Sequence, residues 1–357
     1  MKTKILPPAE MKELCGTLHL HTRYSDGGVH ISELIEAAQS LNLDFIGVTD
    51  HMSLGAKSDG YEGFHQALFV LVGYEHHDSR KLNHYLAFGV DSVSTMQKPQ
   101  QYIDATKKQG GVGFLAHPAE KRNYFRQYPP YPWVDWQASG YDGIEIWNQM
   151  SEWVENLKSR LSYIRIFYPR RFLGTVPENL LYKWDALNKQ RFVSGIGGVD
   201  AHTIQIGPSW FGLRIFPIRV ELQGIRTHVW IPRQVKDDKE NYKQVLLSKL
   251  RDGNGFISNF RRGDARGAQM IFQDAKGVRL CPGKHQYVPR LPGVLTVSIP
   301  APASITLIRN GSAVAAVEGT DARFPIRRQG VYRLEVFKRR NAWIYSNPFP
   351  IGEYPFN

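Results

Sequence analysis

The chain has 357 residues, 42% of them hydrophobic and 12% aromatic, which fits an ordered globular protein and excludes a disordered tail. Its formal charge of +12 favours anionic partners, yet the basic residues are scattered in pairs instead of lining one helix, which disfavours nucleic acid. The two cysteines, Cys15 and Cys281, can form neither a disulfide framework nor a cysteine metal cluster; no apolar run reaches the length of a membrane span and no signal-peptide core opens the chain, so a cytoplasmic protein is expected.

The run TLHLHT is the first expected strand. HISELIEAAQSLN follows as a helix, with Ile31, Leu34, Ile35 and Ala38 at helical spacing and Ser32 as its expected cap. DFIGVTDH, ALFVLVGYEHH and HYLAFGV are the next strands. QQYIDATKKQGG reads as a helix closed by glycine, leading into the strand VGFLAHP and then YDGIEIWN. Helices are expected around 151–167 and 177–190, then the strand FVSGIGGVDAH, the strand THVWIP and the helix DKENYKQVLLSKLRDGNG. Repeated βα alternation argues for a parallel sheet or barrel over residues 1–260. Beyond about residue 260 the helical period disappears. GVLTVSI, SITLIRNGSAVAAV, GVYRLEVF and AWIYSNPF alternate in period two, and Asn310-Gly311 is a strong hairpin turn. Residues 261–357 therefore read as a small antiparallel β-sandwich.

Side chains suited to metal fall at the ends of the expected strands. His19 and His21 end the first, Asp50 and His51 the second, Glu75 the third, His117 the VGFLAH run, and Asp200 and His202 the last. In a barrel of parallel strands those ends meet on one face. Residues two apart in a strand share a side, so His19 with His21, and Asp200 with His202, can reach one ion together. His84 starts its run instead of ending it, as a reversed strand or a distorted barrel would require. Imidazole and carboxylate ligands suit zinc, manganese and iron. An HxH pair alone is a weak signal; such groups at five strand ends are a strong one.

The runs LHLHTRYSDG, IGVTDH, GYEHH…NHYLAFG, GGVGFLAHP and GVDAHT, in that order, resemble the polymerase and histidinol phosphatase (PHP) domain over the first 260 residues or so. The tail resembles the small β domain of the CehA/McbA branch of PHP-like metallohydrolases. The resemblance implies a distorted (β/α)7 TIM-like barrel holding two or three divalent ions. His19, His21, Glu75 and Asp200 would bind the first; Asp26, His51 and His202 the second; Glu75, His84 and His117 the third. Many members carry a histidine where Asp26 stands, and the extra negative ligand should make the second ion less Lewis acidic. The implied activity is hydrolysis of a small phosphorylated metabolite by a hydroxide held between ions. A carbamate or carboxylic ester hydrolase using the same site, and a nucleic-acid-associated nuclease, are the rival readings. His51 and His202 are candidate proton relays, and Asp50 a candidate for orienting a ligand imidazole. For the substrate phosphate, Arg122 and then Arg80 are the expected arginines, with Asn148 at the mouth and Glu145 inside the barrel. His30, His65, His76 and His77 are not expected as ligands. The loop YPPYPWVDW is expected to cap the barrel, with lining a pocket as the alternative.

Overall fold

A strand apolar on both faces needs cover on both sides, and a ring of strands wrapped in helices supplies it. The computed structural model describes residues 10–122, 129–159, 161, 162, 164, 173–206, 213–235 and 238–356. In chain order its first part comprises β1 (Met11–Leu20), α1 (Ile31–Ser40), β2 (Phe45–Val48), α2 (Gly55–Ser58), β3 (Gly63–His65), β4 (Leu68–His76), β5 (Tyr85–Phe88) and α3 (Pro99–Lys108). Then come β6 (Val112–Leu115), β7 (Gly143–Asn148), α4 (Gln149–Glu155), α5 (Glu178–Gln190) and β8 (Ser194–Ala201). A short pair, β9 (Ile204–Ile206) and β10 (Leu213–Ile215), precedes α6 (Ile218–Glu221), β11 (Ile225–Pro232), α7 (Lys239–Arg251) and β12 (Gly255–Asn259).

Seven strands close a ring in the order β1, β2, β4, β5, β6, β7, β8 and back to β1. Six of them run parallel, and β5 is antiparallel to both neighbours. The mixed α/β class and the closed barrel match the expectation, but strict (β/α)7 alternation does not hold. β3 is a hairpin partner of β4, and β4 passes to β5 with no helix between. That reversal is why His84 precedes its strand and still stands at the rim.

The strands sort their side chains by period two. Ile46, Val48, Val70 and Val72 pack outward against Ile31, Leu34, Ile35 and Ala38 of α1. Phe45, Phe69 and Leu71 pack with Leu18, Phe88, Phe114 and Ile196, joined by Leu246, Leu247 and Leu250 of α7. Each such fully buried aliphatic or phenyl side chain contributes about 1.5–3 kcal/mol. The cap of α1 is His30, which accepts from Ser32 N, so the expected Ser32 cap is displaced by two residues. The helix expected over 151–167 ends as α4 at Glu155; residues 160, 163 and 165–167 of that expectation lie outside the described residues.

The C-terminal part consists of β13 (Gln269–Gln273), β14 (Arg279–Leu280), β15 (Gly293–Arg309), β16 (Ser312–Ile326), β17 (Gly330–Lys338), β18 (Asn341–Ser346) and β19 (Phe349–Ile351). The runs GVLTVSI and SITLIRN, read as two strands, are one: β15 pairs through its first half with β13 and through its second with β17. Asn310 and Gly311, both at positive φ (50° and 88°), turn it into β16. Phe272, Leu295, Val297, Ile305, Phe324, Leu334 and Trp343 share one core. β18 pairs with β12, β12 with β11 and β11 with β1, so the sheet continues across residue 260. Among the described residues no helix is long and apolar enough to cross a membrane.

Candidate metal centre

Simple alternation does not bring His19 and His21 together. β1 carries a bulge between Thr17 and Leu20, and His19 sits in it at φ 62°. Asp200 (φ 57°) and His117 (φ 28°) also have positive φ. Left-handed backbone at non-glycine residues costs of order 1–3 kcal/mol each and collects at functional sites. Next, Glu75 N donates to Asp50 O and Met52 N to Glu75 O, which pins the segment carrying His51 against the end of β4. The turn carrying Asp26 is drawn in by His21 N to Ala201 O and Gly28 N to His202 O. A Cβ at Gly28 would fall 1.9 Å from Thr203 O, so only glycine permits that approach.

The result gathers all nine expected ligands. His19 Nε2 lies 3.2 Å from Glu75 Oε2 and 3.5 Å from Asp200 Oδ1, and His21 Nε2 lies 3.3 and 3.4 Å from the same two oxygens. Asp26 Oδ2 stands 3.6 Å from His51 Nε2 and 3.4 Å from His202 Nε2. Glu75 Oε1 reaches His84 Nδ1 at 2.7 Å and His117 Nε2 at 3.1 Å. Four overlapping sets have donor atoms converging within 4.8 Å: His21, Asp26, His51 and His202; His19, Glu75 and His117; His19, His21 and Asp200; and His51, Glu75 and His84. The sets differ in detail from the expected three, with His21 also facing Asp26 and His51 sharing Glu75 with His84.

These residues fit divalent ions. His19 Nε2, both nitrogens of His21, His51 Nδ1 and His117 Nδ1 are buried without a hydrogen-bond partner. A buried polar atom without a partner is costly and calls for an explanation. Two ligands of one tetrahedral ion, with bonds of about 2.0–2.2 Å, stand about 3.3–3.5 Å apart, which is the spacing found here. Nitrogen and oxygen donors suit zinc, manganese or iron.

The charges are strongly coupled. Burial raises Asp200 and Glu75, yet the surrounding imidazoles, His19 foremost, hold both well below the usual carboxylate range. Burial likewise raises Asp26, but His202, His21 and His51 bring it down. Burial lowers His19, and Glu145, Asp200 and Glu75 more than reverse it. His117 and His202 are pushed up to about 9, against burial, by Glu120 and Glu75 in the first case and by Asp26 and Asp200 in the second. In His51 and His84 burial outweighs Glu75; His51 falls to about 4.

A cleft of about 440 Å³ opens over the centre, lined also by Ser25, His77, Lys81, Arg122 and Tyr131. Arg122 is here as expected: it pairs with Glu120 and lies 5.6 Å over the Tyr131 ring, which stacks on His84. Arg80 is not; it is two-thirds exposed, pairs with Asp78 and lines no part of the cleft. Asn148 does not face substrate with a free amide, because it caps α4 through Ser151 N and donates to Glu145 and Asp200. Asp50 orients no imidazole; it accepts from Thr22 N, Thr22 Oγ1 and Ser25 Oγ and so holds the turn that carries Asp26. His76 bonds to Met96 O, His65 to Tyr61 O, and His30 caps α1, so these three stand apart from the centre, while His77 lines the cleft outside the converging sets. Trp133 is buried in the core against Tyr85 and Tyr102. Sequence reasoning missed Lys81, for which no spacing gave a signal, while Tyr131 of the loop YPPYPWVDW lines the cleft, the alternative to the cap expected there. It also left Glu145 without a role, although a carboxylate between apolar neighbours in GIEIWN was a usable one.

Residues 17–128 match the PHP domain family. Among curated proteins nothing matches. Among solved structures the chain is similar to a two-domain protein from Bacteroides vulgatus containing a predicted PHP-like metal-dependent phosphoesterase, with 14% identity, 96% of each chain covered and a TM-score of 0.47. It is also similar to PsfC from Pseudomonas syringae (15% identity, 65% of this chain and 88% of that one, TM-score 0.40). A third is an amidohydrolase from Chromobacterium violaceum with bound sulfate and no metal (14% identity, 57% and 92% covered, TM-score 0.33).

Proposed function

We propose that the protein is a metal-dependent phosphoesterase that hydrolyses a small phosphorylated metabolite, with the chemistry carried by residues 1–260 and the later strands in support. The observation that carries this reading is the convergence of six imidazoles and three carboxylates on one rim, with imidazole nitrogens buried and unpartnered. Two or three divalent ions held by His19, His21, Asp26, His51, Glu75, His84, His117, Asp200 and His202 would supply Lewis acidity and a water of lowered pKa. The remaining work falls to the chain's own residues. Lys81 and Arg122 line the cleft and offer charged donors to phosphoryl oxygens. Tyr131 is the wall between Arg122 and His84, with its ring 5.2 Å from the imidazole. Asp50 keeps the Asp26 turn in place. His51 and His202 serve as ligands ahead of any proton relay, because an engaged imidazole is a poor base.

A cleft of this volume suits a small anionic ester. The test is metal analysis of the purified protein together with a panel of phosphoesters and an aryl carbamate. His21→Ala and Asp200→Ala should each lose bound metal and turnover. Turnover of the carbamate alone would shift the protein to the ester chemistry of the CehA/McbA-like branch. Phosphoesterase activity that survives complete chelation would sink the reading.

A further inference from the structure

Glu145 sits at the barrel centre on β7, fully buried, and both of its oxygens are used. Oε1 accepts from His19 Nδ1 at 2.9 Å. Oε2 accepts from His117 N at 2.7 Å and from Asn148 Nδ2 at 3.0 Å, and that same amide donates onward to Asp200 Oδ2 at 3.3 Å. One carboxylate thereby reaches residues of the centre carried by β1, by the segment after β6 and, through Asn148, by β8. The neighbouring strand is cut back to admit it: a Cβ at Gly198 would fall 1.8 Å from Glu145 Oε1 and 2.8 Å from the His19 Cβ. Among the described residues the ion-pair partner of Glu145 is His19, so this buried carboxyl group serves the centre.

We infer that Glu145 is a positioning residue of the metal centre. Glu145 Oε2 already receives the His117 N–H and the Asn148 amide, and Oε1 faces His19 Nδ1 at 2.9 Å, so the structure assigns the proton of the ring to Nδ1. That fixes the ring and leaves Nε2 as the atom turned toward Glu75 and Asp200. Glu145 is not itself among the converging donor sets; it acts through His19 and the backbone of His117. The inference rests on the reading above that the rim holds divalent ions.

The experiment measures zinc affinity by competition with a chromophoric chelator, and the His19 tautomer by long-range proton–nitrogen correlation spectroscopy. Glu145→Gln keeps the volume but turns an NH2 group toward one of the existing donors. Glu145→Asp keeps a carboxylate on β7 and draws it back from His19 Nδ1 by one methylene. Both should bind zinc about 10–100-fold more weakly than the parent, and the Nδ1–H signature of His19 should be lost or mixed. Folded variants that bind zinc within about twofold of the parent and keep that signature would overturn the inference and leave the proposed function standing. If Glu145→Gln does not fold, Glu145→Asp decides in the same assay, and unfolding of both would overturn the inference by making the carboxylate a requirement of the fold. A parent protein that takes up no zinc, manganese or iron defeats the proposed function itself.

Discussion

At the scale of single residues, the cleft sets converging imidazoles and carboxylates beside basic side chains that stand outside their sets. Lys81 and Arg122 line the cleft but belong to none of the converging donor sets. A charged hydrogen bond is worth about 1.5–3 kcal/mol, so removing either should raise KM for a phosphoester by about 10–100-fold. Bound metal should stay unchanged in Lys81→Ala and Arg122→Ala, whereas a fall in metal content would place those residues in the centre's architecture. Seven of the nine residues gathered at the rim were legible as imidazoles and carboxylates at successive strand ends, whereas His84 precedes its strand and Asp26, in a turn, was placed with them by the family resemblance. Arg80, Asn148 and Asp50 were not legible, because their roles depend on partners distant in the chain or at unforeseen angles: Asp50 is spent on Thr22 and Ser25, and Asn148 on Glu145 and Asp200. Lys81 owes its place to a turn at φ 56°, which no periodicity predicts.

At the scale of elements, the barrel strands from β1 to β8 were legible apart from the short β3, and the direction of β5 was not. A four-residue apolar run such as YLAF reads the same in either direction, and only the placement of His84 before it hinted at reversal. β12 and β13 were missed because GFISN and QMIFQ carry apolar runs of only two and three residues, FI and MIF, too short to stand out. The strands β1, β11 and β12 also share a buried polar knot. His228 meets Glu13 Oε1 at 2.6 Å through Nδ1 and Ser258 Oγ at 2.8 Å through Nε2. Burial pushes this imidazole down, but Cys15 and Glu13 more than offset it and raise it from 6.5 to about 9. A raised folded-state value means the protonated form is favoured by folding, so its stabilisation is complete below pH 6.5 and vanishes as pH climbs through about 9. Urea unfolding of chelator-treated protein should therefore lose up to about 3 kcal/mol between pH 6 and pH 9.5, and His228→Gln should remove most of that slope. An unchanged slope in His228→Gln would assign the pH dependence elsewhere.

At the scale of the whole molecule, two of the ties between the C-terminal strands and the barrel bear on stability. One tie is the sheet that runs from β18 through β12 and β11 to β1. The other is the buried pair in which Arg333 Nε and Nη2 donate to both oxygens of Asp185 at 2.7 and 2.8 Å, with Glu335 beside them. Removing one partner of such a pair strands the other charge, so Asp185→Ala should cost about 3–5 kcal/mol in denaturant unfolding. The double replacement Asp185→Ala with Arg333→Met should recover part of it; a single variant as stable as the parent would refute the tie. The change of texture near residue 260 was visible in the sequence, but neither tie was, because each joins residues more than eighty positions apart.

The reversed β5 also bears on the order in which the chain assembles its rim. Glu75 and His84 stand on the two arms of one hairpin, nine residues apart, while His19 and Asp200 meet only when β1 pairs with β8. Closing a short loop costs less entropy than closing a ring of some 180 residues. The corner around Glu75 and His84 is therefore the early, local piece, and the corner around His19 and Asp200 is the late one. Pulse-labelled hydrogen exchange during refolding should protect the amides of β4 and β5 before those of β8, and the opposite sequence would reverse this account.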